Sequence, residues 1–277
     1  MKTIASLLAV AVLAAPAAVM ARPTGAGKPG LERLYVLDCG RGIAGDVSRW
    51  SPRVDVGKSR PFWDNCCLLK HAQGWMLWDT GISDAVADMP DGLPPSVPGA
   101  THWYRTKTLA SQLKALGVKP GDLRYVAISH THPDHVGNVE LFPGVPVLIQ
   151  RAEYDWAFGK EPKPFKAEHE VVKLEGDKDV FGDGSVVLLS TPGHTPGHQS
   201  LLLHLPQTGW LVLSGDAVHF KSNWDARRVP SMNVDREKTL ASMQRLGDLV
   251  AERHAQLWIN HDKPQTDGLR HAPDAYE

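Results

Sequence analysis

The chain has 277 residues, of which 42% are hydrophobic and 22% charged, and its formal net charge is −1 at pH 7. This composition is that of an ordinary globular protein with room for one large or two small domains. The near-neutral charge offers no polyanion-binding surface, so it argues against nucleic acid as a partner.

The N-terminus has the pattern of a secretory signal peptide, with an early lysine, an apolar run and then small residues. Pro16 interrupts the apolar run, which is shorter than the ~20 residues that a membrane-spanning helix needs. We therefore predict cleavage after Ala21 and an exported, periplasmic or secreted protein with no membrane contact after cleavage. The predicted organisation is a signal peptide over 1–21, a linker over 22–31 and one folded domain over 32–277.

Three cysteines follow the predicted signal peptide. Cys66 and Cys67 are neighbours on a predicted strand and point to opposite faces, so at most one of them can meet Cys39. A disulfide in an exported protein and burial as small hydrophobic side chains both remain open. The spacing is not that of a cysteine metal site.

Apolar patterning predicts strands and helices that alternate along the whole chain. Gly- and Pro-containing segments at 40–62 and 82–102 predict loops. The predicted helices cover 106–118, 151–158 and 235–254. The predicted strands cover 31–40, 65–70, 74–81, 124–129, 145–150, 185–190, 200–205, 209–216 and 256–262.

Histidines and aspartates follow four of these strands closely. The segment HTHPDH, directly after the apolar YVAIS, holds four of them, and the other three follow later strands; the seven are His130, His132, Asp134, His135, His194, Asp216 and His261. Because polar residues at strand ends often build one site, we expect the seven to converge.

These residue types point to metal chemistry. Imidazole and carboxylate without thiolate suit Zn²⁺ or a similar divalent ion, and seven donors suit two ions with one bridging carboxylate. Two such ions activate water and polarise a carbonyl oxygen, and these two effects together allow hydrolysis at neutral pH. The other histidines are interpreted as packing or surface residues, with His198 intermediate; they are His71, His102, His169, His204, His254 and His271.

HTHPDH resembles the H-x-H-x-D-H signature of the metallo-β-lactamase-fold hydrolases, and the remaining motifs follow in the family's order over about residues 32–265. The resemblance implies an α/β fold of four layers, an αββα sandwich with the metals at one edge of its sheets. It also implies that Asp79, in WDTG, orients a ligand and that Asp216 bridges two ions. One ion would be held by His130, His132 and His194, and the other by Asp134, His135 and His261.

Longer segments resemble the N-acyl-homoserine lactonases, which open the lactone ring of quorum-sensing signals; they include RLYVLDCG, MLWDTGISDAV, TPGHTPGHQSLLL and LWINHD. This resemblance implies that a hydroxide bridging two Zn²⁺ ions attacks the ring carbonyl while Asp134 shuttles the proton. Lactonases of this group commonly carry a tyrosine three residues after the bridging aspartate, where this chain has His219. A histidine also donates a hydrogen bond, so we interpret His219 as catalytic together with Asp134, while a surface or supporting role for His219 stays open.

Other functions would use the same metal ligands. A broader esterase, thioesterase or phosphotriesterase remains open, and a β-lactamase or a non-enzyme zinc-binding protein is a weaker alternative. The segments expected to form the pocket, 40–62, 82–105 and 219–235, carry no decisive motif. The expected partner is a small lactone or ester, and a homodimer is left open. Five aromatic residues either line an acyl pocket or serve as packing: Trp63, Trp103, Tyr104, Phe220 and Trp224.

Overall fold

The computed structural model describes residues 30–277, so the predicted signal peptide and nearly all of the predicted linker lie outside the described residues. Its helices are α1 (Leu109–Ala115), α2 (Pro133–Val136), α3 (Arg151–Phe158), α4 (Lys221–Asp225), α5 (Arg236–Arg253) and α6 (Lys263–Thr266). Its strands are β1 (Leu31–Ala44), β2 (Arg60–His71), β3 (Gly74–Trp78), β4 (Thr101–Tyr104), β5 (Leu123–Ala127), β6 (Val147–Gln150), β7 (Val171–Leu174), β8 (Lys178–Asp179), β9 (Val186–Ser190), β10 (Gln199–Leu205), β11 (Gly209–Leu213) and β12 (Gln256–Trp258).

The strands form two sheets. The first has the order β4-β1-β2-β3-β5-β6-β7, and the second has the order β12-β11-β10-β9-β8. The first sheet is antiparallel from β4 to β3 and parallel from β3 to β7. In the second sheet β12 pairs with β11 in parallel and the other pairs are antiparallel.

Alternation along the strands divides their side chains between two faces of each sheet. Leu34 and Val36 of β1 pack with Leu201 and Leu203 of β10 in the core between the sheets. The side chain between them, Tyr35, belongs instead to the core on the outer face of the first sheet. Burying each such leucine in the inner core stabilises the fold by roughly 1.5–3 kcal/mol.

Helices cover the outer faces of both sheets. Leu109 and Leu113 of α1 join the outer core of the first sheet. Leu246 of α5 packs with Leu202 and Val212 on the outer face of the second sheet. The order helix, sheet, sheet, helix confirms the predicted αββα sandwich.

The two adjacent cysteines of β2 have different fates. Cys66 is bonded to Cys39 across the outer face of the first sheet, with their Cα atoms 5.7 Å apart. Cys67 faces the core between the sheets as a buried free thiol. Burial raises the pKa of the Cys67 thiol, so this group stays protonated.

The predicted loop over 40–62 is partly wrong. β1 continues to Ala44 because residues 40–44 pair with residues 60–64 of β2 on one side and, from Arg41, with β4 on the other. Apolar alternation fades in this stretch, so the pairing is set by backbone hydrogen bonds rather than by a hydrophobic face. The last two residues of the second predicted loop, 101 and 102, belong to β4 (Thr101–Tyr104) for the same reason.

Of the helices between residues 30 and 277, none combines the length and the apolar character needed to cross a membrane.

Candidate metal centre

All seven predicted donors meet at one edge of the paired sheets. The segment after β5 supplies four of them, and the segments after β9, β11 and β12 supply His194, Asp216 and His261. Five of the seven are buried, whereas His132 and Asp134 are partly exposed. The donors therefore form the floor of a site that opens to solvent on the side of His132 and Asp134.

Four donor atoms make the first group of ligands. The Nδ1 atom of His132 lies 2.9 Å from His130 Nε2 and 3.0 Å from His194 Nε2. Asp216 Oδ2 lies 3.6 Å from His130 Nε2 and 3.4 Å from His194 Nε2. Donors bound at about 2.0–2.1 Å to one tetrahedral ion are separated by roughly 3.3 Å, so these distances suit a shared cation.

Asp134, His135 and His261 make the second group. The other oxygen of Asp216, Oδ1, lies 3.0 Å from His261 Nε2 and 3.5 Å from His135 Nε2. Asp134 Oδ2 lies 3.8 Å from His261 Nε2 and 3.9 Å from His135 Nε2. Asp216 thus turns one oxygen to each group, as a bridging carboxylate would.

Three atoms at the centre of the second group test whether a cation fits. His135 Nε2, His261 Nε2 and Asp216 Oδ1 are buried and have no hydrogen-bond partner within residues 30–277. Such atoms are costly in a protein interior unless a ligand satisfies them. Their grouping, and their imidazole and carboxylate chemistry, fit divalent cations such as Zn²⁺.

Four of these histidines are oriented by a hydrogen bond from the ring nitrogen that turns away from the donor cluster. His194 Nδ1 donates to Asn233 Oδ1 at 2.8 Å, and His261 Nδ1 donates to the carbonyl oxygen of Trp63 at 2.5 Å. His130 Nδ1 lies 3.0 Å from Ser129 Oγ. These bonds leave the opposite nitrogen free for a metal.

Asp79 orients His135 in the same way. This residue directly follows the strand β3 and has a left-handed conformation, with φ of 56°, that short polar side chains tolerate. Its Oδ2 accepts from His135 Nδ1 at 2.9 Å, and its Oδ1 accepts from the backbone N–H of Ser129 at 2.6 Å. Asp79 therefore orients the predicted ligand His135 and is not itself one of the grouped donors.

Burial and the neighbouring charges shift the pKa values of these histidines. Burial lowers the pKa of His130 and His194 well below 6.5, which keeps both rings neutral and able to bind a cation. Burial also lowers the pKa of His135, but the carboxylates of Asp216 and Asp79 outweigh it and raise that pKa well above 6.5. A concentration of negative charge therefore lies beside His135, where a cation is stabilised.

His198 lies under the cluster and supports Asp216. Its Nε2 accepts the backbone N–H of Asp216 at 2.8 Å, and its Nδ1 lies 3.0 Å from the carbonyl oxygen of Thr191. Burial lowers the pKa of His198 to about 3, so the ring stays neutral and keeps its acceptor. Gly215 has φ of 52°, and a Cβ there would lie 2.7 Å from His198 Nε2, so only glycine permits this contact.

Glu153 was not singled out from the sequence, yet it joins two of the ligand loops. The side chain is fully buried on α3. Its Oε1 accepts from the N–H and hydroxyl of Thr131, at 2.9 and 2.7 Å, and its Oε2 accepts from Gly197 N at 3.1 Å. No local sequence pattern signals this role, because the two partners lie 22 and 44 residues from Glu153.

His219 lies against the donor cluster but is held differently. Its Nε2 is 3.1 Å from Asp216 Oδ2, and its ring packs 5.1 Å from that of His194, centroid to centroid. Its Nδ1 is buried and has no hydrogen-bond partner in the described chain. His219 therefore lacks the outward hydrogen bond that orients the other four.

A cleft of about 370 Å³ opens above the donors, and His132, Asp134, His194, Asp216 and His219 all line it. The three segments expected to form a pocket do supply its walls. Among the five aromatic candidates, however, only Trp103 lines the cleft, together with Trp50 and Phe62, which were not chosen.

Strand geometry explains the difference. Phe62 and Trp63 are neighbours on β2 and face opposite ways, so Phe62 stacks on His261 at 4.1 Å while Trp63 lies between two cationic side chains. Tyr104 stacks on His102, and Phe220 packs behind Phe62. Trp224 packs against helix α5 instead.

Comparison with known proteins places this geometry in a family. Residues 64–253 match the metallo-beta-lactamase superfamily. N-acyl homoserine lactonase AiiA of Bacillus thuringiensis subsp. kurstaki is 33% identical over 256 residues, covering 88% of this chain and 98% of the relative. N-acyl homoserine lactonase AttM of Rhizobium radiobacter is 31% identical over 236 residues, covering 76% and 85%.

A solved structure is similar over nearly its full length. It is an N-acyl homoserine lactone hydrolase with the product N-hexanoyl-L-homoserine bound at its catalytic metal centre, and it superposes with a TM-score of 0.81 at 31% identity, covering 89% of this chain and 99% of that one. The chain therefore belongs to the metallo-β-lactamase superfamily and, within it, to the family of N-acyl homoserine lactonases.

Proposed function

We propose that this protein hydrolyses the ring ester of N-acyl homoserine lactones at a centre of two Zn²⁺ ions. The observation that carries the proposal is the convergence of seven histidine and aspartate donors on the floor of a cleft. Three buried atoms of these donors have no hydrogen-bond partner among residues 30–277. The relatives named above act on this substrate class, and the product-bound neighbour carries its ligand at a metal centre.

One ion would be held by His130, His132 and His194, the other by Asp134, His135 and His261, with Asp216 shared between them. Two bound divalent cations supply Lewis acidity towards the lactone carbonyl and activate water at neutral pH.

We assign catalytic roles towards the substrate to Asp134 and His219. The side chain of Asp134 is 16% exposed, against 4% for Asp216, so its carboxylate can accept the proton of the attacking water and return it to the ring oxygen as the C–O bond breaks. His219 lines the cleft, and an N–H of its ring would donate to the lactone carbonyl oxygen, where negative charge develops. The products are a carboxylate and an alcohol.

The walls of the cleft suit an acyl chain. Trp50, Phe62 and Trp103 form a continuous aromatic contact, with ring centroids 5.3 and 5.5 Å apart, and Leu93 and Met232 add aliphatic surface. Apolar walls with few polar groups are typical of small-molecule sites and exclude water from the reacting bond.

Comparing four substrates tests the proposal. The mature protein is loaded with zinc and assayed with N-hexanoyl homoserine lactone, an aryl ester, a phosphotriester and a β-lactam. We expect the lactone to have the highest kcat/KM. Efficient cleavage of another substrate without ring opening of the lactone would overturn the substrate assignment and leave the metal centre standing.

Metal content tests the ligand assignment separately. His132→Ala and Asp216→Ala each remove one donor, and we expect both variants to lose bound zinc as well as activity. Full zinc content with full activity in either variant would contradict the assignment. His204→Ala is the matched control and should keep both, because this partly exposed histidine stacks on Trp210 at the end of β10 and β11 opposite to the donor segments.

We also propose that the chain is exported, with cleavage after Ala21. The disulfide between Cys39 and Cys66 supports this proposal, because such bonds persist in oxidising compartments. Expression in a bacterial host, fractionation and intact-mass measurement test it. The expected species is periplasmic or secreted and begins at Arg22, whereas a cytoplasmic species that keeps Met1 would contradict it.

A further inference from the structure

The substrate cleft contains a cation that the metal centre does not use. Arg49 is the one lysine or arginine among the cleft-lining residues of the described chain. Its Nε atom is buried and has no hydrogen-bond partner within residues 30–277. A buried guanidinium N–H without a partner is rare, because it has given up its hydration and gained no protein acceptor.

The nearest acidic residue in the sequence, Asp46, makes no ion pair with Arg49. Its Oδ1 accepts from two backbone N–H groups instead, at 2.9 Å from Ser48 N and 3.0 Å from Gly57 N. The two carboxylates that line the cleft, Asp134 and Asp216, belong to the donor cluster. Only the Nε atom of this half-buried side chain is enclosed, and the two terminal nitrogens of the guanidinium have neither a hydrogen bond nor an ion pair within residues 30–277, so they are available to a ligand that enters the cleft.

The position of Arg49 relative to the donors is fixed from two sides. Its carbonyl oxygen accepts from Ser231 N at 3.0 Å and from the Ser231 hydroxyl at 3.1 Å, and two residues further on Asn233 holds His194. On the other side its neighbour Trp50 packs on Phe62, which stacks on His261. Both connections end on residues of the donor cluster.

The stem of Arg49 is held as well. A Cβ at Gly99 would lie 3.3 Å from Arg49 Cδ, so the loop at Gly99 packs closely along the stem. A side chain held along its stem and tied to the donor cluster loses little further entropy when its guanidinium binds a ligand.

We propose that Arg49 selects substrates whose acyl chain carries an additional carbonyl group, a 3-oxo group, by donating to that oxygen. This inference rests on the proposed function. The rest of the cleft wall is largely apolar and suits the hydrocarbon part of the acyl chain. The single unpaired cation therefore matches an acyl chain that carries a single hydrogen-bond acceptor. A guanidinium donates a charge-assisted hydrogen bond to a carbonyl oxygen, and the planar fork can hold it from two nitrogens.

The test compares two lactones of equal chain length, N-octanoyl and N-(3-oxooctanoyl) homoserine lactone. The zinc-loaded wild-type protein is expected to prefer the 3-oxo substrate in kcat/KM by about tenfold or more, because a site built around a polar partner disfavours the analogue that lacks it. In Arg49→Gln the preference should fall to near one, mainly through a higher KM for the 3-oxo lactone. Arg49→Lys should keep part of it.

Arg236→Gln is the matched control, because Arg236 is exposed at the start of α5 and does not line the cleft. It should leave the ratio unchanged. An equal loss on both lactones in Arg49→Gln, or an unchanged ratio, overturns the inference. Either result still leaves ring opening intact, whereas failure of the proposed function removes activity on both lactones in the wild-type protein.

Discussion

At the scale of single residues, the metal centre depends on how each histidine ring is turned. His130, His135, His194 and His261 each use one nitrogen for a hydrogen bond to a fixed partner and leave the other facing the cluster. His219 is the exception, since its Nδ1 has no hydrogen-bond partner in the described chain. This difference sets His219 apart from these four rings.

Replacing His219 tests that separation. His219→Phe keeps the ring volume but removes the donor, so we expect kcat to fall by about 10²–10³-fold, as for the loss of one donor to a developing oxyanion. Bound zinc should be unchanged. His219→Tyr restores a donor and should recover most of the activity. Loss of zinc in His219→Phe would instead make His219 a metal ligand.

Asn233 is expected to act on the metal through His194. Asn233→Ala removes the acceptor for His194 Nδ1, and we expect zinc affinity to fall by about 10–100-fold, as is typical when a ligand loses its orienting partner. Asn233→Asp keeps an acceptor and should retain most of the affinity. Competition with a chelator measures both, and equal affinity in Asn233→Ala and wild type would refute the role.

The sequence predicted all seven donors because they lie in compact motifs directly after apolar strands. It did not predict Asn233, Ser129 or Glu153. Their roles depend on contacts over 39, 1 and 22 residues respectively, to His194, His130 and Thr131, and no local pattern marks the distant ones. Trp50 and Phe62 were missed for a related reason, because the face to which an aromatic side chain points depends on the strand register.

At the scale of elements, strand ends place the donors, and strand pairing was harder to predict than strand position. Apolar patterning located β9, β10 and α5 within a residue or two. It ended β1 four residues too early, because the rest of that strand is held by β2 and β4 on either side. A periodic buried face is visible in the sequence, whereas an edge pairing without one is not.

Asp183 stabilises the start of β1 by accepting a hydrogen bond from Gly30 N, and this stabilisation should depend on pH. Burial alone would raise the pKa of Asp183, but hydrogen bonds from Ser185, His71 and Gly30 outweigh it and lower this pKa to about 2. Because the folded-state pKa is below the ordinary 3.8, the carboxylate stabilises the fold above about pH 4, and this contribution is lost as pH falls towards 2.

We therefore expect Asp183→Asn to lower the free energy of unfolding by about 1 kcal/mol at pH 6 and to have little effect near pH 2. Urea unfolding of the proteins, freed of metal by a chelator, measures the difference in free energy of unfolding between variant and wild type across this pH range. Asp88→Asn, at an exposed position, is the control and should show no difference. A difference in the free energy of unfolding that grows as pH falls would contradict this role of Asp183.

At the scale of the whole molecule, two sheets and their covering helices form one sandwich whose edge carries the site. The fold could be predicted because the motifs occur in the family's order over most of the chain. The pairing of Cys39 with Cys66 could not be, because the sequence left a choice between two adjacent cysteines and between bonded and free thiols. The pairing is decided by the sheet face, because Cys39 and Cys66 share the outer face of the first sheet whereas Cys67 points to the inner one.

The disulfide should contribute to global stability. It closes a loop with a sequence separation of 27, for which loop-closure entropy gives roughly 3–4 kcal/mol. The double variant Cys39→Ser/Cys66→Ser should unfold at a lower denaturant concentration than the wild-type protein. Added reductant should lower the unfolding midpoint of the wild-type protein and leave that of the double variant unchanged. Equal midpoints for oxidised and reduced wild type would contradict the expectation.

The dependence of ring opening on two zinc ions is measured by titrating the metal-free protein with Zn²⁺ and following the rate of hydrolysis of N-hexanoyl homoserine lactone. We expect no turnover in the metal-free protein and a rate that rises with added zinc and stops rising at two equivalents per chain. Ring opening at full rate in the metal-free protein, or no ring opening with two zinc ions bound, would contradict it.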